Sequence, residues 1–139
     1  MKAIRSAILA CAFMGLSGAV LAETVVIVHP SNNAALDEKS VQRIFLGKEK
    51  KFSDGGESIP VNQVPESAVR ADFDTNILGR SSSQVSAYWS KLVFTGKGVP
   101  PKEVSSDAEV IELVAKNPSA IGYIDSASLT DAVKSVNLN

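Results

Sequence analysis

The chain has 139 residues, with 14 basic side chains against 15 acidic ones, 45% hydrophobic residues and one cysteine. So balanced a charge offers no basic field to recruit nucleic acid or an acidic membrane surface. A lone cysteine excludes a disulfide scaffold, and the length bounds the folded part to one core of ordinary size.

The N-terminal stretch MKAIRSAILACAFMGLSGAVLAE carries Lys2 and Arg5, then a run of apolar and small residues, and ends in Val20-Leu21-Ala22 before Glu23. This is the pattern of a cleavable secretory signal over residues 1–22, and it predicts a periplasmic location. Cys11 follows Ile8-Leu9-Ala10 in a faint lipoprotein-like arrangement, but the apolar run continues well beyond it. Cleavage would leave one domain, residues 23–139, with 12 basic against 15 acidic residues and no cysteine. Such a domain is stable through packing alone.

Thr24 to His29 is β-branched and apolar throughout, the mark of a strand buried on both faces. His29 ends it before Pro30 and reads as a strand-end histidine bonded to backbone. The turn residues Ser31-Asn32-Asn33 follow. Leu36, Val41, Ile44 and Phe45 then recur at helical spacing, with Asp37 and Glu38 in the first turn and Gly47 as the stop. The charge run Lys48 to Lys51 reads as a solvated loop, SIPVNQV as a short strand, and Ser67 to Leu78 as a helix closed by Gly79. Ser82 or Ser83 caps a further helix, whose Tyr88, Trp89 and Phe94 are expected in the core. SSDAEVIELVAKNP predicts another helix, AIGYID a strand and AVKSVNLN a last strand. Strands alternate with helices, so the fold class is α/β with a largely parallel or mixed sheet flanked by helices.

Catalytic constellations are absent from this reading. Residues 23–139 hold one histidine and no cysteine, the carboxylates are scattered, and no phosphate-binding glycine loop or dinucleotide fingerprint occurs. Neither an enzyme nor a cofactor or metal is expected. What remains is ligand binding by loops at strand ends. The Asn32-Asn33 turn, the Glu66-Ser67 helix start and the turn after Ile124 qualify. At Ser67 the free N–H groups and the helix dipole favour an anion. Arg70 either folds back to that point or pairs with Glu66 or Asp74, each four residues away. Ser67 itself serves as a plain N-cap or as a ligand contact.

Four segments, LDEKSVQRIFLGKEKKFSDGGESIPV, SAVRADF, AYWSKLVFTGKG and NPSAIGYID, together resemble the periplasmic phosphate-binding proteins of ABC transporters. The resemblance rests on Ile44, Phe45 and Gly47, then Phe52, Asp54 and Gly55, and later Ala120, Ile121, Gly122 and Tyr123, in the family's order. It implies a single lobe of the type II periplasmic-binding-protein fold, where family members have two lobes with phosphate held between them. It implies inorganic phosphate or a similar oxyanion as ligand, at Ser67, Arg70, Glu66, Asn32 and Asn33. The implied partners are a transporter permease or another envelope protein, or a second copy as a homodimer. The family's anion loop, however, reads Arg-x-Asp-Gly-Ser-Gly-Thr. Here Gln63 stands for the arginine, Pro65 for the aspartate, and Ala68 and Val69 for the glycine and threonine. Only the serine survives, so binding is expected to be weak or to require a dimer. The alternative is a ligand-free interaction module on the same lobe.

Overall fold

The computed structural model describes residues 23–138; the expected signal peptide lies outside them. In chain order the elements are β1 (Thr24–Val28), α1 (Glu38–Phe45), β2 (Ile59–Gln63), α2 (Ala68–Asn76), α3 (Ser82–Phe94), β3 (Lys102–Val104), α4 (Asp107–Lys116), β4 (Ala120–Asp125), a 3-10 turn (Ser126–Ser128) and β5 (Lys134–Val136). The five strands form a mixed sheet in the order β3-β2-β4-β1-β5. β2 runs parallel to both β3 and β4, while β1 is antiparallel to β4 and β5.

The period of two along β4 divides the core. Ile121 and Tyr123 face α1, α2 and α3, joined by Val28, Phe45, Phe73 and Trp89. Ala120 and Ile124 face α4, joined by Ile27, Val61, Val110 and Val114. Burying each large side chain of this kind contributes about 1.5–3 kcal/mol. α4 reaches the sheet because Gly122 has no side chain: a Cβ there would stand 2.5 Å from Val110 Cγ1.

Local chemistry sets the helix ends. α1 starts at Asp37, which accepts from Ser40 N–H, and stops at Gly47, whose φ of 70° suits glycine. Trp89 packs against that same glycine; a Cβ on it would lie 2.8 Å from the indole ring. The cap of α3 is Ser81, one residue before the expected serines, because Ser81 and Gln84 form a reciprocal capping box. Of the three aromatics expected in the core, Trp89 is buried and Tyr88 half-buried, but Phe94 is 92% exposed. It sits in the last turn of α3, beyond the reach of the sheet.

Candidate functional site

Ser67 caps α2, its hydroxyl accepting Arg70 N–H at 3.3 Å, so the N–H groups of Ala68 and Val69 in the first turn have no intrahelical partner. The same hydroxyl donates to Gln63 Oε1 at 2.6 Å, and Gln63 Nε2 donates to Asp107 Oδ1 and to the Tyr123 carbonyl. Gln63 therefore does not replace a cation. It ties the end of β2 to the start of α4.

Arg70 is 3% exposed and turns back along β2. Its Nη1 donates at 2.9 Å to both the Gln63 carbonyl and Glu103 Oε1, and its Nε lies 3.5 Å from Asp74 Oδ2. Of the pairings open to Arg70 in the sequence, the structure uses Asp74 and adds Glu103, a residue 33 positions away. Glu66 stands exposed and apart from it. Asp74 is wholly buried and accepts from Ser82 Oγ at 2.8 Å. Burial pushes its carboxyl above the ordinary range, against the lowering pull of Ser82 and Arg70.

The Asn32-Asn33 turn lies elsewhere. β1 runs against β2 and β4, so its C-terminal turn emerges at the end of the sheet where β2 begins, and Ser67 follows the end where β2 stops. The two are separated by about a strand length, roughly 16 Å. Asn32 O and Asn33 Oδ1 accept from Lys134 Nζ instead, pinning the turn to β5. The structure thus brings Ser67 and Arg70 together, leaves Glu66 at their rim, and sets Asn32 and Asn33 at the opposite end.

A second feature was not foreseen. Between α3 and residues 100–103 opens a groove of about 470 Å³, floored by Asn62, Arg70 and Glu103. Trp89, Val93, Phe94, Pro100 and Pro101 supply apolar walls, and Ser86 and Ser90 present hydroxyls from α3. Asn62 is 4% exposed. Its Oδ1 accepts from Gln63 N–H and from the Tyr123 hydroxyl, which fixes the amide's orientation. Burial raises the Tyr123 pKa above its ordinary range, so the phenol stays a donor. Two signals in the sequence bear on this groove: an apolar strand ending in Asn62 and Gln63, and two serines four residues apart on α3.

This arrangement, a mixed five-stranded sheet with three helices on one face and one on the other, is a fold shared with part of several solved structures. The chain is similar to an ABC-type phosphate transport receptor from Vibrio cholerae, with a TM-score of 0.64 and 18% identity over 81% of this chain and 44% of that one. It is likewise similar to a phosphate ABC transporter substrate-binding protein from Clostridium perfringens with bound phosphate, with a TM-score of 0.63 and 21% identity over 81% of this chain and 43% of that one. PstS from Borrelia burgdorferi matches with a TM-score of 0.53 and 16% identity over 74% of this chain and 40% of that one. The chain therefore spans less than half the length of each of these structures, and what it shares with them is the fold. No family model matches the sequence.

Proposed function

We propose that the chain is an exported, single-domain relative of the phosphate receptors of ABC transporters, a binding protein and not an enzyme. Residues 1–22 serve as its signal peptide, and residues 23–139 as its one domain in the periplasm. Its ligand is inorganic phosphate or a similar oxyanion, held at the α2 N-terminus by the Ala68 and Val69 N–H groups beside Ser67, with Glu66 at the rim. The observation that carries this reading is the capped α2 N-terminus directly after β2, in a fold shared with phosphate-transport proteins. Arg70 contributes little charge to that point, because Asp74 and Glu103 already neutralise it. An anion at an open half-cleft stays largely in water, so a monomer binds in the millimolar range. Tight binding needs a second copy, or a transporter permease, to close the site.

The test is calorimetric titration of residues 23–139 with phosphate and sulfate, beside Ala68→Pro. Proline at the first helical position removes one donor while suiting the helix, and Ser67, at φ −70° and ψ 126°, already has the extended backbone that precedes proline. Millimolar binding that falls several-fold in Ala68→Pro, at unchanged melting temperature, supports the reading. Arg70→Ala is the poorer probe, since it leaves the buried Asp74 carboxylate without its cation and removes the partner of Glu103. Micromolar binding by a demonstrated monomer contradicts the half-cleft. No heat with either anion sinks the oxyanion ligand and leaves the second reading, a ligand-free interaction module in the envelope. That reading is favoured by the exposed apolar residues Phe94, Val99 and Val93.

A further inference from the structure

We infer that the groove between α3 and residues 100–103 is a second binding site, for an uncharged apolar molecule that carries an amide group. Two donors on nearly buried residues open into it. Asn62 Nδ2 and Arg70 Nη2 donate to no group among the described residues, yet neither is among the atoms sealed from solvent, as Arg70 Nε is. Both residues line the groove floor. With Asn62 Oδ1 held inward by Gln63 and Tyr123, its Nδ2 faces the opening. Beside these donors stands an acceptor, the Glu103 carboxylate, whose Oε1 takes the Arg70 bond and whose Oε2 has no partner among the described residues; its side chain is 42% exposed.

Charge decides the ligand class. Arg70 already meets Glu103 at 2.9 Å and Asp74 at 3.5 Å, so the floor carries no surplus positive charge. An entering anion would meet the Glu103 carboxylate in a partly desolvated site, where like charges repel more strongly than in water. What fits is a neutral group with an acceptor and a donor side by side: a C=O facing Asn62 and Arg70, and an N–H facing Glu103. The apolar body lies against Trp89, Val93, Phe94 and the two prolines. A volume of about 470 Å³ with a few placed polar groups in apolar walls is the usual make-up of a small-molecule site. The groove shares Arg70 with the first turn of α2, but Ser67, Ala68 and Val69 do not line it, and the assignment does not depend on the oxyanion reading.

Trp89 is the chain's one tryptophan and lines the groove, so its emission reports occupancy. The experiment titrates residues 23–139 with N-acetyl-leucinamide and with N-acetyl-leucine, which share a body and differ in the charge at one end. The expected result is saturable binding of the amide, about tenfold tighter than the carboxylate, as a single desolvated like-charge contact imposes. Glu103→Gln removes the repelling charge and reverses that preference. Phe94→Ser, at an exposed position that leaves the core intact, weakens both. Phosphate leaves amide binding unchanged. Equal or tighter binding of N-acetyl-leucine, displacement of the amide by phosphate, or no saturable change in emission with the folded protein overturns the assignment.

Discussion

Asp74 shows how one buried carboxylate can govern the pH dependence of the fold. Its pKa is raised from 3.8, chiefly by burial, so the folded state holds its proton more tightly than the unfolded chain does. Stability is therefore greatest below the unfolded pKa and falls as pH rises through the folded one. Asp74→Asn keeps an oxygen for Ser82 and removes the titration. The stability of the natural chain relative to this variant should decline from about pH 4 towards neutrality. Asp37 and Glu112 shift the opposite way, held down by Ser40 and Lys116, but both proteins carry them and they cancel in the comparison. Urea titrations of the two proteins across that range test this, and a difference independent of pH would refute it. The sequence made Arg70–Asp74 visible as a four-residue helical pair. It hid Glu103, because only the folding of β3 beside β2 brings the second carboxylate to the guanidinium.

The elements were legible in proportion to their periodicity. β1, α1, α4 and β4 announce themselves by unbroken apolar or helical patterns, and they form where expected. β3 was not foreseen. It has three residues, two of them charged, follows two prolines and pairs only along one edge with β2, so neither alternation nor propensity marks it. The side of the groove that residues 100–103 form, at the start of β3, is equally unmarked in the sequence. The contact of α4 with β4 gives a prediction of its own. Gly122→Ala should destabilise by about 1–3 kcal/mol through overpacking, because the new methyl meets Val110 Cγ1 of a β-branched core residue. Adding Val110→Ala removes the atom in the way, so the double variant should be more stable than the sum of the two single losses. Additive losses in thermal unfolding would mean that the crowding is relieved elsewhere.

At the scale of the whole molecule, the chain covers less than half of each phosphate-transport protein whose fold it shares. If the chain acts as the single lobe proposed above, it exposes surface that a second lobe would cover, and a second copy is the simplest substitute. Under the proposed oxyanion function, the α2 N-terminus would then gain donors from its partner, and the anion would be withdrawn from water. Dimerisation and anion binding would then be linked: whatever binds the dimer better than the monomer drives association by the same free energy. Light scattering coupled to size exclusion should accordingly show the mass of residues 23–139 shifting from monomer towards dimer when phosphate is added, with a midpoint that moves to lower phosphate as protein concentration rises. Ala68→Pro, having lost a donor at the shared site, should need more phosphate for the same shift. A mass that stays monomeric at saturating phosphate would remove the dimer from consideration, and affinity would then have to come from a different partner closing the same face.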